Sequence, residues 1–342
     1  MLGKVLGCLL IFCAGLWAGN AASSPAGWTQ AASAPQSELD EYLQKCREEI
    51  QQQRAQEAIA WGEKAIALAP ASAEAHFQLA LAYDLKLQQS SGIGRLSPAK
   101  KYKSALEKAI ELNPENLPAR NCLFDYLLEA PGIAGGGVAE AKAQAKEIAK
   151  LDMKAGYRVQ AAVFQKEEKW DLAEKEYKAY LALDPKDVNA AALLANFYRN
   201  RKNPAGAEVV WTDYLVVQPG SLDALLALGQ VRLELQKYDE AKENFRAGLK
   251  AANDDPRFHY QLGRLSALTG RDAEEGLAHL QAYLGKTPPP GNPTWADAYW
   301  RIGNIYEKTG NRSAAAQSYQ KALEISPDHK NAKDSLKALD KK

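Results

Sequence analysis

Apolar and small residues recur along the chain in paired blocks, each spaced for the buried stripe of an amphipathic helix and separated from the next by a short polar turn. The cleanest pair runs from Ala296 to His329. Its first half places Tyr299, Ile302, Gly303 and Tyr306 on one stripe; its second half places Ala315, Tyr319 and Ala322, and the pair ends at Pro327. Each position has a physical reason. Gly303 and Ala315 are small enough for two antiparallel helices to cross closely. Tyr306 and Tyr319 fill the space beside the crossing, and Ala322 lets the second helix pack on its neighbour. Pro327 lacks the N–H that a continuing helix needs. The same columns return upstream at Ala58, Ala65 and Pro70, at Ala80, Tyr83, Ala109 and Pro114, and at Ala161, Phe164, Ala173, Tyr177 and Pro185. They continue at Ala195, Tyr198, Ala207, Trp211 and Pro219, at Gly229, Ala241, Phe245 and Gly248, and at Gly263. Pro185 to Pro219 and Gly229 to Gly263 each span 34 residues.

This pattern of a large residue, a small one, Tyr, Ala, an aromatic, Ala and Pro over 34 residues resembles the tetratricopeptide repeat family, across residues 39–329. The resemblance implies an all-α fold: a right-handed superhelix, or α-solenoid, of eight helix-turn-helix repeats over 39–72, 73–116, 117–153, 154–187, 188–221, 222–255, 256–295 and 296–329. Residues 330–342 are polar except for Ala332, Leu336 and Leu339 on one face, as expected of a C-terminal cap helix. Three insertions break the period. Two are Gly-rich, around Leu87–Pro98 (Ser90-Ser-Gly-Ile-Gly-Arg95) and at Pro131–Gly137, each between the helices of its repeat. Equivalent loops of stacked repeats share an edge, so the loops 87–98 and 130–138 are expected to touch and to bury Ile93 or Ile133 between them. The run Ala130-Pro-Gly-Ile133 and Gly135-Gly-Gly137 resembles secreted bacterial repeat proteins. The third insertion, Pro288–Pro293, reads as a stiff spacer.

The N-terminus is different. Lys4, an uncharged apolar run from Val5 to Gly19, and small residues up to Ala21 and Ala22 read as a signal peptide over residues 1–22, cleaved near Ala21/Ala22. The expected location is therefore secreted or periplasmic; the alternative is anchorage by an uncleaved N-terminal segment. Residues 23–38 read as a flexible linker. Cys46 and Cys122 are the two cysteines beyond the signal. They lie on first helices two repeats apart, too far for a disulfide, so two free thiols are expected.

Lys and Arg total 43 and Asp and Glu 42, a balance that argues against a nucleic-acid-binding chain. No zinc spacing, nucleophile elbow or dinucleotide fingerprint occurs, and neither Gly-rich loop matches a P-loop. The sequence thus points to no enzyme and no cofactor. What remains is the concave groove that the resemblance implies, lined by the first helix of each repeat. Carrying the phase across nominates Arg158, Asn196, Arg199, Gln230, Arg257, Tyr260, Arg264, Trp300 and Asn304 as partner-binding residues. Tyr260, Arg264 and Trp300 form the expected anchor patch. The family's carboxylate-holding version uses paired Lys and Asn; Asn196 and Asn304 are present, but Ala192 and Trp300 stand at the Lys positions. The expected function is a scaffold that holds an extended peptide or protein segment. The alternative is a small-molecule or lipid binder using the groove or the paired loops.

Overall fold

The structure, a computed structural model, describes residues 34–252, 254–289 and 291–339. The signal read over residues 1–22 lies outside them. Among the described residues there are seventeen α-helices, two 3-10 turns and no strand. They run as α1 (Ala34–Gln51) and α2 (Ala55–Leu68), α3 (Ala73–Gln89) and α4 (Leu96–Leu112), α5 (Leu117–Glu129) and α6 (Val138–Leu151), α7 (Met153–Lys166) and α8 (Trp170–Leu183). Then follow α9 (Val188–Asn200) and α10 (Pro204–Val217), α11 (Leu222–Glu234) and α12 (Tyr238–Ala251), α13 (Pro256–Thr269) and α14 (Ala273–Leu284), α15 (Trp295–Lys308) and α16 (Arg312–Ile325), and lastly α17 (Lys330–Leu339). The chain divides into two compact modules, Met1–Tyr180 and Leu181–Lys342. Each is taken by itself below. The first helix starts at Ala34, inside the stretch read as linker, because Leu39 and Leu43 bury against Ala65 and Ala75 and carry the helix with them.

Two columns of the sequence set the helix ends. Every first helix from α3 onward is capped by a side chain that accepts a backbone N–H of its first turn: Ser72, Asn116, Asp152, Asp187, Ser221, Asp255 and Thr294. Each such cap contributes about 1 kcal/mol. Thr294 and Asp297 complete a reciprocal capping box. The turn inside the pair is the second column. Gln53, Glu168, Lys202, Gln236 and Gly310 all take a left-handed backbone there, with φ between 56° and 82°. Only Gly310 does so without a steric penalty.

The two Gly-rich insertions replace that turn with 3-10 segments, Gly92–Arg95 and Gly132–Ala134. The expectation of a buried isoleucine between them fails: Ile93 is 92% and Ile133 75% exposed. The second loop is ordered by its own backbone instead. Gly137 N–H donates to Leu127 (2.8 Å), Tyr126 OH donates to the Ala134 carbonyl, and Lys103 of α4 donates to the Gly135 carbonyl (2.9 Å). Gly136 is pressed so closely on the Ala130 carbonyl that a Cβ would lie 1.8 Å from its oxygen, so no other residue fits.

The core follows the small-residue columns. In the first module Tyr102 and Tyr126 meet edge-on at 5.5 Å over Phe124, Leu106 and Ile148, all nearly inaccessible. In the second, a Cβ on Gly229 would lie 2.2 Å from Phe245, on Gly263 2.3 Å from Leu280, and on Gly303 2.3 Å from Tyr319. Cys46 and Cys122 are both buried and neither is in a disulfide; Cys46 donates to the Ala58 carbonyl at 3.3 Å, and burial pushes its thiol up to about 12. On the side of α13 that faces α14, His259 meets His279 Nδ1 to Nδ1 at 2.9 Å, with Asp254 on the other nitrogen of His259 and Glu275 beside His279.

Three outcomes are expected. Gly303→Val drives a methyl group into Tyr319 and should lower stability by about 2 kcal/mol, read from urea unfolding. In the folded mature protein at pH 8 neither Cys46 nor Cys122 should react quickly with an alkylating reagent, whereas the unfolded, unreduced mature chain should show two thiols. His279 is held below its ordinary value of 6.5 by burial and then by the neighbouring His259. Its stabilising contribution is therefore complete above that pH and is lost as the pH falls through the depressed value. The unfolding midpoint should drop between pH 7.5 and 5.5 in the native chain and stay flatter in His279→Gln.

Candidate functional site

The first helices of the second module present side chains that enclose a cavity of about 300 Å³. Leu226 and Gln230 enter from α11. Arg257, Tyr260, Gln261 and Arg264 enter from α13, and Arg301 from α15. Helical spacing explains the α13 contribution, because residues three and four apart share a face. Gly291, Asn292 and Pro293 close the rim. The proline-rich insertion is thus part of the cavity wall as well as a spacer, held there by Tyr283 OH donating to the Pro293 carbonyl.

The three arginines differ in their surroundings. Arg257 is anchored by ion pairs to Asp255 and to Asp223, each at 2.7 Å, and these hold its guanidinium above its ordinary value. Arg264 donates from Nη1 to the Gln261 side-chain Oε1 at 3.2 Å, but its Nε is buried with no hydrogen-bond partner. Burial, and then the positive charge of Arg301, push Arg264 below its ordinary value. Arg301 lies over the Trp300 ring at 4.0 Å, and its Nε is likewise buried and unpartnered. Tyr260 is 5% exposed and packs on Tyr283 at 5.3 Å; burial raises its hydroxyl, against the pull of Arg301.

Of the nine residues nominated from sequence, Gln230, Arg257, Tyr260 and Arg264 come together here. Trp300 does not join them. Its indole N–H donates to Ser335 of α17 at 3.1 Å, and its ring packs among Ala296, Ala322 and Ala332 beneath that helix. The anchor patch expected of Tyr260, Arg264 and Trp300 therefore loses its third member to the cap. Asn304 accepts from Tyr319 OH at 2.8 Å, a contact within its own helix pair. Arg199 is paired with Glu234, and Asn196 is exposed on α9. Arg158, in the first module, is bound to Asp125 (3.2 Å) and Asn121 (2.8 Å) and lies over Phe124. Burial raises the Asp125 carboxyl against the effect of that arginine. Arg301 and Gln261 were missed because each sits one position off the stripe used for the nomination. The signal available was the arginine content of neighbouring first helices, Arg257 and Arg264 on one and Arg301 on the next. No helix among the described residues is long and apolar enough to cross a membrane, and no cluster of three potential metal ligands occurs among them.

Tetratricopeptide repeat models match residues 158–217, 226–293 and 296–329. Residues 28–123 match a different model, described as regulator of microtubule dynamics protein 1-3. That stretch holds the first two of the expected repeats and the first large insertion, where the 34-residue period is lost. No curated protein matches the chain. A crystal structure of a tetratricopeptide repeat protein from Parabacteroides merdae is 16% identical, with 89% of this chain and 99% of that one covered and a TM-score of 0.52. MamA is 22% identical, with 50% and 90% covered and a TM-score of 0.42. YrrB, described as a tetratricopeptide repeat protein with an unusual peptide-binding site, is 21% identical, with 69% and 99% covered and a TM-score of 0.41. At these identities the first likeness speaks to fold alone. Paired antiparallel helices, small residues at their crossings and the matching repeat models agree: the chain carries tetratricopeptide repeats over residues 158–217, 226–293 and 296–329.

Proposed function

We propose that this protein is a non-enzymatic interaction scaffold that holds an extended peptide or protein segment against the first helices α11, α13 and α15. The observation that carries the reading is the cavity between those helices. Its wall is mainly Arg, Gln, Asn and Tyr, with Leu226 and Pro293 as apolar patches. Such a lining suits the mixed polar and apolar contacts of a peptide better than it suits a wholly apolar ligand, for which an apolar wall with a few placed polar groups is usual. Arg and Tyr are also the side chains that most often anchor protein contacts. The proposal extends to location: residues 1–22 lead the chain into a secreted or periplasmic compartment and are removed near Ala21/Ala22.

The test uses the mature full chain on an array of short random peptides. A subset should be captured. Gln230→Trp fills the cavity from a half-buried position and should weaken that capture about tenfold, or roughly 1.4 kcal/mol, with helicity unchanged. Equal capture by the variant would move the binding surface elsewhere. Mass spectrometry of the chain recovered from its native compartment checks the cleavage, and an intact N-terminus would overturn it.

A further inference from the structure

Among the described residues, most arginines of the first helices are matched to acids, and Arg120 gives its donors instead to the Pro114 carbonyl (2.7 Å) and the Gln144 side-chain oxygen (2.9 Å). Arg158 has Asp125, Arg199 has Glu234, Arg232 has Glu208, and Arg257 has both Asp255 and Asp223. Arg264 and Arg301 form no such pair among the described residues. They lie close enough for the charge of Arg301 to act on Arg264, and each keeps a buried Nε without a hydrogen-bond partner. Both line the same cavity of about 300 Å³. A buried N–H donor left without a partner destabilises the fold, and two adjacent cations add repulsion to that. An arrangement of this kind is relieved by an anion between the two guanidiniums.

We propose that the cavity is a carboxylate-binding pocket in which Arg264 and Arg301 together hold an acidic group of the bound segment. The guanidinium fork fits the two oxygens of a carboxylate with paired N–H donors. Leu226, Tyr260 and Pro293 line the same hollow and offer apolar surface to the carbon stem that carries the acid. Arg257 does not take part as a free cation, because Asp255 and Asp223 already occupy it. The assignment rests on the segment-binding reading above, and it names the chemistry that such a segment must bring.

Two readouts separate this claim from that reading. The first needs no peptide. In the full mature chain, the side-chain Nε–H resonances of Arg264 and Arg301 should shift as sodium acetate replaces sodium chloride at constant ionic strength, while that of Arg246 on α12, which is paired with Glu275 of α14, stays still. The second compares a Glu-containing peptide with its Gln counterpart, each with a free and an amidated C-terminus. Loss of binding on Glu→Gln assigns the acid to a side chain, and loss on amidation assigns it to a C-terminus. Arg264→Gln and Arg301→Gln should each weaken the preferred peptide at least tenfold and remove its preference over the uncharged one; Arg246→Gln should change neither by more than about twofold. If a glutamine variant fails to fold, Arg264→Lys, which keeps the charge and loses the fork, takes its place and should still weaken binding. Peptide capture with no preference for acid, together with unmoved resonances, overturns the pocket and leaves the scaffold standing. Resonances that move with acetate while no peptide binds keep the pocket and overturn the scaffold. A stronger response to inorganic phosphate than to acetate overturns the carboxylate assignment.

Discussion

The close crossing of each helix pair is the constraint on which the rest of this structure depends. Where Gly229, Gly263 and Gly303 meet Phe245, Leu280 and Tyr319, the ring or branched side chain lies directly against the glycine of the facing helix. That contact fixes how near the two helices lie and hence which residues of the first helix face inward. On α13 the glycine contact turns Gly263 toward Leu280, and the same rotation sends Tyr260 and Arg264 into the cavity. The groove residues are therefore positioned by packing on the adjoining face of their own helix, where Tyr260 also meets Tyr283. In the neighbouring pair Tyr319 takes part twice: its ring covers Gly303, and its hydroxyl shares its one proton between the side-chain oxygens of Asn304 (2.8 Å) and Glu307 (2.9 Å).

The fold was legible in the sequence because its determinants are single residues at fixed spacing. Small residues at crossings, aromatics beside them, and Ser, Asn, Asp or Thr ahead of each first helix are local signals that repeat. The start of α1 was less legible, since the stretch before Leu39 is small and polar and its helicity comes from burial of Leu39 and Leu43 further along. Half of the candidate site was also legible. Gln230, Arg257, Tyr260 and Arg264 follow from the phase of their helices. Trp300 shows the limit: its position on α15 is the expected one, but α17 lies over it, and the sequence of α15 contains nothing about that neighbour. Arg301 shows the converse, since it gains its importance from the adjacent Arg264 rather than from its own column.

The Gly-rich loops separate order from burial. Ile93 and Ile133 are exposed, yet the loop carrying Ile133 is pinned by Tyr126, Leu127, Lys103 and the steric fit of Gly136. An apolar side chain at a loop tip needs no buried seat when the backbone that follows it is held by hydrogen bonds, and single exposed apolar residues are ordinary on protein surfaces.

The row of side-chain caps has an electrostatic consequence for the second module. Each first helix there begins with unpaired N–H groups that together carry about half a positive charge. Asp187, Asp255 and Asp297 place carboxylates at three of those beginnings, and Ser221 places a neutral hydroxyl at the fourth. The macrodipole ends are thus largely neutralised where they emerge. Along α13 and α15 the positive charge facing the cavity then comes from guanidiniums part-way along the helices, so the pull on an anion there is toward their middle rather than toward the rim where the helices start.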